Sequence, residues 1–266
     1  MKYKILCSDL DGTLLSSKSD VSAFTISEIT RIKENMRIWL VSARMPQSML
    51  YLQKDLGIEK EPIICYNGAL IYDGAEKVFS KTIHFNSLEK VYQLADKQAI
   101  KLGLYYDKEW YVEETSERVE KEIKYTKTQP IFRPTHETLT DWKNRNISAH
   151  KIMLMGTKAS SDYIFPLLIN EFNEQMNIYR SNDTLIELAP KSVSKLSAIN
   201  LLFKNGETIT NVISFGDNYN DIEMLQASGM GVAVGNAREE VKAIANHITL
   251  NNTDNGVAQY IKEHLI

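Results

Sequence analysis

The chain has 266 residues, 43% hydrophobic and 24% charged, a composition that suits a soluble globular protein of one large domain or two modest ones. Its formal charge of -3 supplies no basic field for a polyanion, which excludes nucleic acid as the main partner but not a small phosphorylated metabolite held in one local pocket. No apolar run reaches membrane-spanning length and no signal-peptide core opens the chain, so a cytoplasmic protein without a membrane partner is expected. Cys7 and Cys65 sit in apolar runs and read as buried small hydrophobes. The five histidines are scattered, which leaves a His-based zinc site without support.

In chain order, Tyr3 to Cys7 reads as a short buried strand that ends at an acidic cluster. A helix is expected near Ser22 to Asn35, with Ile26, Ile29 and Ile32 on one stripe, then a strand at Arg37 to Val41. Pro46 suits the first turn of a helix that Gly57 closes, Pro62 to Tyr66 is a third strand, and Asn67-Gly68 a turn. This alternation predicts a Rossmann-like parallel sheet with helices on both faces. The pattern then changes. Leu70 to Ile83 reads as a hairpin around Asp73-Gly74, and Leu88 to Leu102 as a helix ended by Gly103. Residues 104–107 and 110–112 read as paired strands and Glu117 to Lys127 as a charged helix, followed by the segment Lys151 to Met155. A helix near Ser161 to Glu174 and strands around Ile178 and Ile186 complete an inserted α+β module. After Pro190 the alternation resumes: helix 194–204, strand 212–215, helix 221–227, strand 231–234, helix 239–245, strand 247–249 and helix 254–263. The expected organisation is a discontinuous α/β core, residues 1–83 and 190–266, interrupted by an α+β cap domain at 84–189.

Asp9 and Asp11 directly follow the first strand, where an α/β sheet presents its ligand-binding edge. At positions i and i+2 of an extended segment, both carboxylates can face one pocket, and Gly12 lets an anion approach the backbone. A second cluster, Gly216-Asp217-Asn218-Tyr219-Asn220-Asp221, follows another apolar strand at the same edge. Asp9 and Asp217 together could hold one hard cation through oxygen, with Asp221 supporting from behind or capping the helix that follows. Ser42 ends the strand Arg37 to Val41, and Lys195 opens a helix. Taken alone, those two read as a helix-cap serine and a solvated lysine; their order relative to the two acidic clusters gives them weight.

That order, Asp-x-Asp-Gly-Thr, a strand-end Ser, Lys, then Gly-Asp-x-x-Asn-Asp, resembles the haloacid dehalogenase-like superfamily along the full chain. The insert of about a hundred residues between the Ser and Lys motifs, the stretch Ala189 to Lys195 and the turn Asn67-Gly68-Ala69 resemble its Cof-type, class IIB capped sugar-phosphate phosphatases. The resemblance implies that Asp9 attacks phosphorus to give an aspartyl-phosphate and that Asp11 is the general acid and base. It implies that Asp9, the Asp11 carbonyl and Asp217 bind magnesium, with Asp221 behind them. Ser42, the Ala43 amide and Lys195 would hold phosphoryl oxygens, and Asn220 would orient substrate or Lys195. The family shows Thr-Gly-Arg where this chain has Ser42-Ala43-Arg44, a change that keeps the hydroxyl and removes backbone freedom. Arg44 would reach the substrate or anchor its loop. Asp11 argues against dehalogenase chemistry, because a halide leaving group needs no acid. The expected function is magnesium-dependent hydrolysis of small phosphomonoesters, sugar phosphates or related metabolites, by a monomer or weak homo-oligomer. A phosphomutase is the alternative, and a non-catalytic binding protein on the same scaffold a third. Trp110, Trp142, Lys151, Arg180 and Asn182 are cap candidates for specificity.

Overall fold

A computed structural model describes residues 3–17, 19–204 and 206–265. The chain divides into two compact units, one formed by residues up to 79 together with those from 194 onward, the other by Ser80–Val193. Elements follow in chain order: β1 (Ile5–Ser8), α1 (Ala23–Ile32), β2 (Arg37–Val41), α2 (Gln47–Leu56), β3 (Ile63–Cys65), β4 (Leu70–Asp73) and β5 (Glu76–Ser80). Next come α3 (Phe85–Asp96), β6 (Lys101–Tyr106), β7 (Glu109–Val112), α4 (Glu117–Thr126), β8 (Ile131–Phe132), α5 (Thr135–Asn144), β9 (Lys151–Met155), α6 (Lys158–Phe172), β10 (Met176–Asn182) and β11 (Leu185–Pro190). The last stretch holds α7 (Lys195–Leu201), β12 (Val212–Gly216), α8 (Ile222–Ala227), β13 (Met230–Ala233), α9 (Glu239–Ile244), β14 (His247–Ile248) and α10 (Gly256–His264).

The first unit is built on an eight-stranded sheet of order β14-β13-β12-β1-β2-β3-β4-β5, parallel from β14 through β3, where β4 turns back antiparallel. Its inner strands are apolar on both faces, as a parallel sheet covered by helices requires. On one face Ile5, Cys7, Trp39, Val41 and Ile64 share a core with Ala198 and Ile199 of α7, Leu202 just beyond it, and Met224 of α8. On the other, Phe215 meets Tyr260 of α10 edge-on at 5.5 Å. Helix ends are locally specified: Ser22 and Ser194 accept amide bonds from Thr25 and Ser197, and Gly57 closes α2 in the left-handed region at φ 65°.

The second unit carries a six-stranded sheet of order β10-β11-β9-β6-β7-β8, antiparallel except for β7 with β8. Leu102, Leu104, Ile152, Leu154, Ile186 and Leu188 bury one face against residues of α3, α5 and α6. Here the structure corrects one expectation. The helix expected over 88–102 runs only to Asp96; Ala99 turns the chain with φ 51°, and Gly103 lies inside β6 opposite Val112. A Cβ at Gly103 would meet the Met153 Cβ at 3.4 Å and the Trp110 indole nitrogen at 3.5 Å, ordinary contact distances, so neither crowding nor backbone conformation demands glycine here. None of the described helices is long and apolar enough to cross a membrane.

Candidate active site

The C-terminal ends of β1, β2, β3 and β12 converge on one edge of the parallel sheet, the place where open α/β sheets bind ligands. Asp9 leaves β1 with its amide donating to the Phe215 carbonyl at 3.1 Å, and residues 10–14 then wind into one wide turn. Gly12 is required there twice over: its φ is 86°, and a Cβ would come within 2.6 Å of an Asp217 carboxylate oxygen. Thr13 donates to Asp217 Oδ1 at 3.1 Å, and Asn236 donates to the Gly12 carbonyl at 2.8 Å, which fix the turn against the loops after β12 and β13.

Lys195 lies in the first turn of α7 with its side chain 1% exposed. Its Nζ donates to Asp9 Oδ1 at 2.5 Å and to Asp221 Oδ1 at 2.6 Å. Asp221 spends its other oxygen on the amides of Asp217 and Asn218, at 3.0 and 3.1 Å, and is fully buried. Gly216 makes room for this, since a Cβ would lie 2.5 Å from that of Asp221. Asp9, Asp217 and Asp221 each offer a carboxylate oxygen within 4.8 Å of the others. Asp9 and Asp221 thus share one ammonium, with the half-buried Asp217 beside them. Burial, the largest influence, pushes the Asp9 carboxyl well above its usual range; Lys195 opposes this, and Asp221 and Asp217 add to it. Burial and Asp221 likewise push Asp217 up to about 6.

This donor set fits a hard divalent cation. The donors are carboxylate oxygens with no sulfur or imidazole among them, and their mutual repulsion is what a cation relieves. Because Asp221 has both oxygens engaged by Lys195 and by amides, the freer donors are Asp9 and Asp217.

The other candidates fall into two neighbouring groups. Ser42 is buried; its Oγ accepts from the Arg44 amide at 3.2 Å, while its carbonyl accepts from the Asn67 amide at 2.9 Å. Ala43 lies outside the left-handed region, so the loop needs no glycine where the family carries one. Tyr66, Asn67 and Gly68 are consecutive left-handed residues with φ of 52°, 55° and 102°. Tyr66 donates its amide to the Arg44 carbonyl, and the Asn67 side chain accepts from Asn220 Nδ2 at 3.0 Å. Asn220 is therefore tied to Asn67, and Lys195 is oriented by Asp221 and Asp9.

Asp11 stands apart from the three-carboxylate cluster. Both its oxygens accept from Arg44, Nε and Nη2 each at 2.7 Å. Arg44 as the partner of Asp11, Asn67 as the partner of Asn220, and Thr13 as a donor to Asp217 are contacts that sequence reading missed. Within the second unit, Trp142 is wholly buried in the helix-covered core and Trp110 stacks on Tyr105 at 5.4 Å. There Lys151 pairs with Glu187 at 2.7 Å, Arg180 with Asp162 at 2.5 Å, and Asn182 accepts from the Thr184 amide.

Known proteins agree with this geometry. Residues 6–261 match the family of haloacid dehalogenase-like hydrolases. A Haemophilus influenzae protein with a provisional phosphatase name is 32% identical over 99% of this chain and 98% of its own length. The Escherichia coli pyridoxal phosphate phosphatase YbhA is 26% identical, with both chains covered in full. A haloacid dehalogenase-like hydrolase from Bacteroides thetaiotaomicron superposes with a TM-score of 0.89 at 29% identity, over 98% of this chain and 99% of that one. With the match running from β1 into α10, and the acidic clusters at one edge of the sheet it spans, the chain belongs to the haloacid dehalogenase-like hydrolases of the Cof type and is a phosphoric monoester hydrolase.

Proposed function

We propose that the protein is a magnesium-dependent phosphatase of small phosphomonoesters, sugar phosphates or related metabolites, acting through an aspartyl-phosphate on Asp9. The observation that carries this reading is the cluster of three carboxylates at the sheet edge, with Asp9 and Asp221 gripped by Lys195 and Asp217 beside them. An Asp9 oxygen attacks phosphorus as the bond to the ester oxygen breaks, and that oxygen leaves with its electron pair and a proton from the Asp11 carboxyl. Water then attacks the phosphorus of the aspartyl-phosphate and gives a proton to the Asp11 carboxylate. The Asp9–phosphorus bond breaks, and inorganic phosphate departs. General acid–base help of this kind contributes ~10²–10⁴-fold in rate.

Lys195, the Ser42 hydroxyl and the Ala43 amide hold the phosphoryl oxygens and offset their charge, the main source of catalysis in phosphoryl transfer. Magnesium would be held by Asp9, the Asp11 carbonyl and Asp217, with Asp221 steadying Lys195 and the loop after β12. When bound it supplies positive charge that neutralises the phosphoryl oxygens. Asn220, fixed by Asn67, orients the substrate. The insert expected at 84–189 is the cap that selects the leaving group. The relatives' names support a small-metabolite substrate: one Bacillus subtilis relative, 27% identical, is a 5-amino-6-(5-phospho-D-ribitylamino)uracil phosphatase. A cytoplasmic monomer or weak homo-oligomer, without nucleic acid as partner, completes the reading. A phosphate-release screen over phosphorylated metabolites with magnesium, with Asp9→Asn as control, tests it. Full activity in Asp9→Asn would exclude the mechanism.

A further inference from the structure

Asp11 and Arg44 form an unusual ion pair. The carboxylate is 52% exposed, whereas the guanidinium that grips it is 4% exposed. Pairs that merely decorate a surface have both partners in water. Here the cation is sunk in the protein and its carboxylate stands open at the site's edge. Each guanidinium nitrogen is engaged: Nε and Nη2 on the two Asp11 oxygens, and Nη1 on the Ser48 carbonyl at 3.2 Å and the Tyr51 hydroxyl oxygen at 3.3 Å. Tyr51 in turn donates to the Ser19 carbonyl at 2.5 Å. The Arg44 backbone is fixed as well, its amide on Ser42 Oγ and its carbonyl under the Tyr66 amide.

We infer that Arg44 is the positioning residue of Asp11, setting the direction in which that carboxyl group gives and takes protons. The inference rests on the phosphatase reading above. A planar fork bonded to both oxygens fixes the rotation of the carboxyl plane as well as its place, which a lysine cannot do. A carboxylate has about four lone-pair sites, and the fork occupies two. The rest face solvent, where an ester oxygen or water would sit. With its nitrogens spent inside the protein, Arg44 acts through Asp11 and not on substrate.

The test is a leaving-group series, from p-nitrophenyl phosphate, whose phenolate departs without a proton, to p-methoxyphenyl phosphate, whose phenolate needs one. kcat/KM is measured with magnesium for the wild-type chain, Arg44→Ala, Arg44→Lys, Tyr51→Phe, Asp11→Asn and the Asp11→Asn, Arg44→Ala double variant. Arg44→Ala is expected to cost ~10–100-fold on the methoxyphenyl ester and less than ~3-fold on the nitrophenyl ester, steepening the dependence as Asp11→Asn does. Arg44→Lys should keep most of that selective loss, and Tyr51→Phe should show a smaller one of the same sense. In the Asp11→Asn background, Arg44→Ala should add less than ~3-fold. Equal losses on both esters, or a full additional loss in the double variant, would overturn the inference. Should Arg44→Ala not fold by circular dichroism, an unchanged slope in both Arg44→Lys and Tyr51→Phe overturns it equally. Absence of turnover of every ester by the wild-type chain would strike the phosphatase reading instead.

Discussion

Each of the two units shields a lysine from solvent, and the two lysines are neutralised differently. In the second unit Lys151 meets Glu187 one to one. Burial opposes the Lys151 charge, but Glu187 and Glu122 outweigh it and hold the ammonium above its ordinary value. Burial likewise works against the Glu187 carboxylate, and Lys151 with Ser181 overcomes it, holding that group below the usual range. The pair is electrically closed. In the first unit Lys195 faces Asp9 and Asp221 with Asp217 beside them, and Asp9 and Asp217 are driven up instead of down. That cluster carries negative charge in excess of what the protein answers. A closed pair serves the fold, whereas an open one is built to be completed by something that arrives later.

The contrast can be broken in order of effect. Asp9→Asn should lower phosphatase activity by about 10⁴-fold or more, as expected for a lost nucleophile, while leaving the metal-free melting temperature unchanged or raised. Lys195→Met should do the reverse to stability: Asp9 and Asp221 lose their shared cation, at a cost of about 3–5 kcal/mol in urea unfolding. Glu187→Gln removes one half of a closed pair and should cost about 1–3 kcal/mol, with no gain from magnesium.

Acid should separate the regions by sign. Asp217, raised in the fold to about 6, keeps a proton that the unfolded chain has already released at lower pH. Its contribution to stability is therefore present below its ordinary value and lost as pH climbs through about 6, an effect on the order of 1 kcal/mol. Glu187, depressed in the fold, behaves oppositely: its contribution is present above the ordinary glutamate range and lost as pH falls through its folded value. Urea midpoints of wild type, Asp217→Asn and Glu187→Gln across pH 3 to 7 would expose both slopes, and added magnesium should flatten the Asp217 slope alone.

Much of the core was legible in the residues. Ile5–Ser8, residues 38–41 and Val212–Gly216 are unbroken buried runs, and such runs between helical periods specify a parallel sheet before any contact is known. Gly103 misled because a lone glycine after a helical period has the look of a stop, whereas it lies inside β6, paired with Val112 on β7 and Met153 on β9. Residues 131–144 gave no periodic signal: β8 has two residues, and α5 is mostly polar, opening after Pro134. Asp9, Asp11, Asp217 and Lys195 could be selected by order and neighbourhood. Their mutual contacts could not, because the pairs lie far apart in the chain with nothing local to mark them: Asp11 with Arg44 across 33 residues, Asn67 with Asn220 across 153.

The seat of β1 between β2 and β12 has a further consequence, one of timing. Asp9 emerges from the ribosome before its lysine, which follows 186 residues later. At ~5–20 residues per second that interval is about 10–40 s. During it β2 can dock on one edge of β1 while the other edge has no partner, and the contiguous unit 80–193 is completed in between. The nascent chain must therefore carry an apolar strand with one open edge and an unneutralised aspartate at its tip. The aspartate that tips β1 helps to guard it, since a charge at the end of an open strand discourages pairing with a stranger until β12 arrives.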